Sequence, residues 1–200
     1  RSQPMLEAIS AKVGNEACTA YMGKGSAGNY VKMVHNGIEY AIMQLISEAY
    51  DLLRRGANLN NDQLYEVFKE WNNGEMNSFL IEITRDIFQQ KDTLTDAYLV
   101  DKILDKAGAK GTGKWTSEQA MEIGVSIPTI DIAVTSRIIS AYKDERVQAS
   151  KLYSEKEITS PENTELFIKE VGDALYLATL ISYAQGLALL VKASKEYDFQ

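Results

Sequence analysis

Lys32, His35, Asn36 and Glu39 stand at i, i+3, i+4 and i+7, with Tyr40 directly after. On a helix this spacing gathers an amine, an imidazole, an amide and a carboxylate within roughly a 100° arc of one face. From Val31 to Ser47 the only charged residues are Lys32 and Glu39, so the rest of the helix reads as buried. Charges are rarely buried without a partner or a task. A lysine in a partly apolar cleft near other cations loses its proton more readily and can act as a general base. A carboxyl group held away from water keeps its proton and can act as a general acid. Lys32 and Glu39 are two helical turns apart, about 10 Å along the axis, which is too far for an ion pair and suits two groups working on different atoms. Taken singly, each residue has a plainer reading: a snorkelling lysine, a surface glutamate, a satisfied core histidine, a structural amide. His35 and Glu39 could also form an i, i+4 metal pair, but no clear third ligand accompanies them, and no metal site is assigned.

A second candidate is Lys110-Gly-Thr-Gly-Lys-Trp-Thr116. Lys110 and Thr112 supply a cation and a hydroxyl, and the glycines supply backbone able to approach phosphate oxygens. The spacing is not that of a P-loop. Lys114 and Trp115 read as structural, Arg146 as an exposed ion-pairing residue, and Cys18 as a small buried residue rather than a nucleophile.

These groups need helices to hold them. Pro4 to about Lys12 reads as a first helix, and Cys18–Met22 as a short β-like segment ending in Gly23-Lys-Gly25. Ser26 or Asn29 opens a long helix to about Arg55, closed by Arg54-Arg55-Gly56. Its wide arc of Val, Ile and Leu predicts a central, buried helix. Gly37 lies inside it at a cost of about 1 kcal/mol relative to Ala, which a close approach of another backbone or a ligand would explain. Further helices are expected from Asn61 to about Asn72, from Asn77 or Ser78 to about Gln90, over 99–105, 116–123, 128–142 and 145–157. Ser160 with Pro161 opens one or two more, from Glu162 to Lys192. No useful period-2 alternation follows residue 30, so the expected fold is all-α.

Two hundred residues suffice for a real core. The net charge of −7 argues against general nucleic-acid binding but not against an anionic small ligand met by a local basic cluster. No stretch reads as long and apolar enough to span a membrane, and no signal-peptide pattern is present. A lone cysteine excludes an internal disulfide framework and points to the cytoplasm. The opening Arg1-Ser-Gln-Pro4 reads as the start of a fragment.

Over Gly28-Asn-Tyr-Val-Lys-Met-Val-His-Asn-Gly-Ile-Glu-Tyr40 the chain resembles the 6-phosphogluconate dehydrogenase family. The resemblance continues at Ser78–Thr84, Lys110–Thr116, Lys143–Arg146, Gln148–Ser150 and Ser182–Gly186, collinear over nearly the whole chain. It implies the family's helical domain for residues 26–200, with 1–25 as the end of a nucleotide-binding domain or connector. It also implies oxidative decarboxylation of 6-phosphogluconate with NADP as cofactor, no metal, and a homodimer. Lys32 would be the base at the substrate 3-hydroxyl, and Glu39 the acid at C1 of the enediol left after CO2 departs. His35 and Asn36 would bind hydroxyls and carboxylate; Tyr40, Lys110, Thr112 and Arg137 would bind the phosphate end. A 3-hydroxyisobutyrate-type dehydrogenase shares the lysine and a nearby asparagine, but not both full motifs. A helical dimerisation module without chemistry would leave the polar face unexplained.

Overall fold

The computed structural model describes residues 2–153 and 159–199. Its axis is the long helix α2 (Ala27–Asp51), continued by a π-helical turn at Leu52–Gly56. Before it come α1 (Gln3–Ile9) and a minimal antiparallel hairpin of β1 (Lys12–Val13) and β2 (Glu16–Ala17). After it come α3 (Asn61–Asn73), α4 (Phe79–Ile87), a 3-10 turn at Leu99–Asp101, α5 (Thr112–Glu122), α6 (Pro128–Ser140), α7 (Lys143–Ser150) and α8 (Thr164–Glu196). The architecture is all-α.

Local chemistry explains where these helices begin. Asn60 caps α3 through a reciprocal pair: its side chain accepts from the Gln63 amide while the Gln63 side chain accepts from the Asn60 amide, both at 2.9 Å. Ser78 caps α4 by accepting from the Ile81 amide. The cap of α8 is Asn163, which accepts from the Leu166 amide, and not the expected Ser160. At its other end α2 closes through Arg54, whose guanidinium donates to the Leu59 carbonyl at 2.9 Å.

Two apolar clusters divide the length of α2. Its carboxy-terminal half (Ile46, Ala49, Leu53) packs with Leu64 and Phe68 of α3, Ile81 of α4, Phe88, and Val171 and Leu175 near the start of α8. Its amino-terminal half (Val34, Ile38, Ala41) packs with Ala120, Ile127, Ile130, Ala133, Val134 and, near the end of α8, Leu189. Since opposite ends of α2 and α8 meet, the two long helices run antiparallel. The second cluster sets α5 and α6 beside the stretch that carries Lys32 to Tyr40.

Several expectations are corrected. The β-like segment is at 12–17 instead of 18–22, because the tight Gly14 turn, with φ +59°, pairs the residues on either side of it. Cys18 is exposed, since no residue from 2 to 26 is buried. Helix α1 stops at Ile9, and α4 stops at Ile87. The expected helix at 99–105 is a single 3-10 turn, and α5 begins four residues early, at Thr112. The helix expected over 145–157 is α7, which ends at Ser150; residues 154–158 lie outside the described residues. Residues 164–196 form one helix, and by length and composition its middle could cross a membrane, contrary to expectation. The polar Ser182, Gln185 and Gly186 disguise a run with no charge from Ala174 to Val191. Only 22% of that run is buried, and its outer face carries exposed Leu177, Leu180, Leu187 and Val191.

Candidate active site

The Lys32–Glu39 face forms as its periodicity requires. Lys32 Nζ is 3.4 Å from His35 Nδ1, which is 3.1 Å from Asn36 Oδ1 and 3.9 Å from Glu39 Oε2. One ring nitrogen thus faces three groups. Protonated, Nδ1 donates to Asn36 Oδ1 or faces the Glu39 carboxylate; unprotonated, it accepts from the Lys32 ammonium. It cannot do both at once.

Asn36 carries the face across to the second motif. Its Nδ2 donates to Thr112 Oγ1 at 3.1 Å, joining residues 76 apart in sequence. Because α5 starts at Thr112, this hydroxyl belongs to the helix's first turn, where backbone amides lack intrahelical acceptors and favour anions. The crossing is set by Gly37. A Cβ there would lie 2.7 Å from Thr116 Cγ2 and 2.9 Å from its Oγ1. Thr116 is fully buried, and its hydroxyl is within 2.9 Å of both the Met33 and the Thr112 carbonyls. The close approach anticipated at Gly37 is therefore a helix–helix contact.

Tyr40 and Arg137 complete the face. The Arg137 guanidinium lies over the Tyr40 ring, 3.8 Å from its centroid, and donates through Nη1 to the Gly108 carbonyl at 3.0 Å. The edge of the same ring lies where a Cβ on Gly113 would come within 2.6 Å, so only glycine fits at 113. Lys110 is exposed on the segment between Gly108 and Thr112. Seven of the eight predicted residues are thus joined by contacts at the junction of α2, α5 and α6, and Lys110 is exposed on the adjoining 102–111 segment.

One expectation about this surface is corrected. Lys32 and His35 are exposed, and Glu39 is part-exposed with its side chain 37% accessible. The buried stripe of α2 passes beside them, through Val34, Gly37, Ile38 and Ala41. A cavity of about 500 Å³ lies elsewhere, between α3 and α8 beside Trp71 and Tyr176, and contains none of these residues. Among the described residues no three His, Cys, Asp or Glu converge as a metal site. Lys114 pairs with Glu118 at 3.2 Å, and Trp115 packs on Gly111.

Sequence reasoning missed the groups that hold this surface together. Thr116 was visible only as the last letter of a motif, and Asp105 not at all. The Asp105 carboxyl is held well below the usual carboxylate range by Lys143 and then Arg146. Arg146, expected as an exposed ion-pairing residue, does pair, but it is part-buried and also binds two backbone carbonyls.

Comparison with known proteins agrees with these motifs. The 6-phosphogluconate dehydrogenase C-terminal domain family matches residues 28–200. The NADP(+)-dependent, decarboxylating 6-phosphogluconate dehydrogenase of Bacillus subtilis is 56% identical over 198 residues, covering 98% of this chain and 42% of the relative. The decarboxylating 6-phosphogluconate dehydrogenase 1 of Spinacia oleracea is 49% identical over 205 residues, covering 99% and 42%. The Plasmodium falciparum 6-phosphogluconate dehydrogenase, solved apo, with its cofactor NADP+ and with its substrate 6-phosphogluconate, superposes with a TM-score of 0.94 at 48% identity; the match covers all of this chain and 43% of that one. This chain therefore spans about two-fifths of the length of these relatives. It belongs to the 6-phosphogluconate dehydrogenase family.

Proposed function

We propose that these residues are the acid–base and phosphate-binding part of an enzyme that decarboxylates 6-phosphogluconate oxidatively to ribulose 5-phosphate and CO2. The observation that carries this reading is the 3.1 Å bond from Asn36 to Thr112, which makes one surface of two motifs distant in sequence. Lys32 would take the proton from the 3-hydroxyl as C3 is oxidised. The ammonium so formed would then polarise the new 3-keto oxygen while the bond from C2 to the carboxylate carbon breaks. Glu39, two turns along, would protonate the carbon left by CO2. His35 and Asn36 would hold hydroxyls and carboxylate, with Nδ1 of His35 beside the Lys32 amine. Lys110, Thr112, Arg137 and Tyr40 would receive the phosphate, the first as a point charge and Arg137 as a planar fork already braced on Tyr40.

NADP would supply the hydride acceptor. The strands described here are two residues each and form a hairpin, with no βαβ unit among the described residues, so the dinucleotide would be held mainly by residues outside this chain. Residues 1–25 fit the end of such a domain, and the exposed apolar face of α8 fits a homodimer contact. The lone, exposed Cys18 is compatible with a cytoplasmic protein.

In an enzyme of full family length carrying these residues, Lys32→Met should abolish turnover of 6-phosphogluconate while leaving thermal unfolding unchanged. Near-normal turnover would remove Lys32 from the base role. Turnover of 3-hydroxyisobutyrate and not of 6-phosphogluconate by the unmodified enzyme would overturn the substrate assignment.

A further inference from the structure

Residues 102–111 have no helix or strand, yet they carry Lys110 to the edge of the site. Residues 137–146, at the end of α6 and the start of α7, hold this segment in place. The Asp105 carboxylate is bound by Lys143 Nζ and, at 2.8 Å, by Arg146 Nη1. Arg146 Nη2 donates to the Asp105 carbonyl at 2.9 Å and to the Ser140 carbonyl at 3.0 Å. The Ala107 amide donates to Ser140 Oγ at 3.0 Å, and Ser140 Oγ donates to the Arg137 carbonyl at 2.7 Å. One residue on, Arg137 binds the Gly108 carbonyl.

An exposed ion pair contributes little to stability by itself. This arrangement differs in what the guanidinium spans. The Ser140 carbonyl is among the last four of α6 and has no intrahelical partner. The rigid fork of Arg146 joins it to both the side chain and the backbone of Asp105, so the loop is referenced to a helix end and not merely attracted to it. From Asp105 to Lys110 is five residues, and from Gly108, the last anchored point, only two. Movement at 105–108 is therefore passed on to Lys110 and to the start of α5.

We propose that Arg146 is a positioning residue for phosphate recognition: with Asp105 and Ser140 it holds the 105–108 segment so that Lys110 and Thr112 meet a substrate phosphate at a fixed distance from Lys32 and Glu39. This rests on reading the Lys110 segment as the phosphate site. Displacements of about 1 Å at a site can cost large factors in effectiveness. Arg146→Lys keeps the charge but offers one nitrogen in place of the two that reach these three acceptors.

The test uses the full-length enzyme with Arg146→Lys, Asp105→Asn and, as a control, Lys110→Ala. Both clamp variants should raise KM for 6-phosphogluconate about tenfold or more and weaken competitive inhibition by inorganic phosphate in parallel. Their KM for NADP should stay within about twofold, and competitive inhibition by gluconate, which lacks the phosphate, should not change. If Lys110→Ala weakens phosphate inhibition but neither clamp variant does, the inference falls and the phosphate reading stands. If Lys110→Ala leaves phosphate inhibition unchanged, both fall. If the clamp variants weaken phosphate and gluconate inhibition alike, or lower kcat together with the unfolding temperature, the role is structural and the inference falls. Should Arg146→Lys not fold, Asp105→Asn decides by the same readouts.

Discussion

Gly37→Ala is a substitution whose sign the structure decides against helix propensity. In the interior of a 25-residue helix, alanine is favoured over glycine by about 1 kcal/mol. Here the added methyl would meet Thr116 Cγ2 at 2.7 Å, Oγ1 at 2.9 Å and Cβ at 3.0 Å. Ordinary carbon–carbon contact is about 3.7 Å, so α5 must retreat by about 1 Å or Thr116 must turn. Thr116 is fully buried and β-branched, and its hydroxyl lies within bonding distance of two carbonyls. Either move gives up about 1 kcal/mol of hydrogen bonding, since retreat also draws Thr116 away from the Met33 carbonyl, and adds an overpacking cost of about 1–3 kcal/mol. Against the propensity gain, the net expectation is a loss of about 1–3 kcal/mol.

For a chain of this size that corresponds to a fall of roughly 3–10 °C in the unfolding midpoint, read by far-ultraviolet circular dichroism. Retreat of α5 would also lengthen the Asn36–Thr112 bond beyond hydrogen-bonding range, so KM for 6-phosphogluconate should rise in the full-length enzyme. Adding Thr116→Ala to Gly37→Ala removes the two closest atoms. The double variant should be more stable than the sum of the single effects predicts, with a coupling of at least about 1 kcal/mol. A Gly37→Ala protein that melts at or above the unsubstituted temperature would refute the reasoning, as would additivity of the two substitutions.

Phe68 is fully buried, with ring centroids of Trp71 and Phe88 at 4.8 and 5.3 Å; Phe68→Ala should cost about 3–5 kcal/mol in chemical denaturation. The Asp105 carboxyl is held below its ordinary value of 3.8 by Lys143 and Arg146, so its contribution is present in full above that value and lost as pH falls below it. The difference in unfolding midpoint between the unsubstituted protein and Asp105→Asn should hold steady from neutral pH to about 5 and shrink only below the unfolded value. These 200 residues alone should show no NADP-dependent turnover of 6-phosphogluconate; measurable reduction in a spectrophotometric assay would contradict the division of labour proposed for the site.

The helical framework was legible because it depends on local signals: the apolar arc of α2, the Asn and Ser caps near 60 and 78, and the absence of alternation after residue 30. Errors cluster where the deciding contact is distant. The start of α5 was placed at Thr116 because Gly111 and Gly113 argue for a loop, yet Gly113 is helical, made necessary by the Tyr40 ring packed against it. The cap of α8 is at Asn163 and not at Ser160 because the Asn163 side chain accepts from the Leu166 amide, which leaves Pro161 outside the helix. Thr116 acts across a helix crossing, and Asp105 and Arg146 across a contact between a loop and a helix, that no short window of sequence contains. Lys32 to Tyr40, by contrast, were readable as one face because a single helix carries them.

That face also marks how far these residues account for the chemistry. The rationale for a lysine base and a carboxylic acid requires low dielectric around both, whereas Lys32 is exposed and the Glu39 side chain is 37% accessible. The apolar stripe of α2 lies beside them, turned toward α5, α6 and α8. What these residues supply is position. Asn36 is bonded to Thr112, Tyr40 is held between Gly113 and Arg137, and Arg137 is bonded to the loop that bears Lys110. Desolvation must then come from whatever closes over the face, whether substrate, a nucleotide-binding domain or a second subunit. On the roles proposed for Lys32 and Glu39, the pair would become competent only when the cleft is closed, which would tie proton transfer to substrate binding through a surface whose geometry is already set.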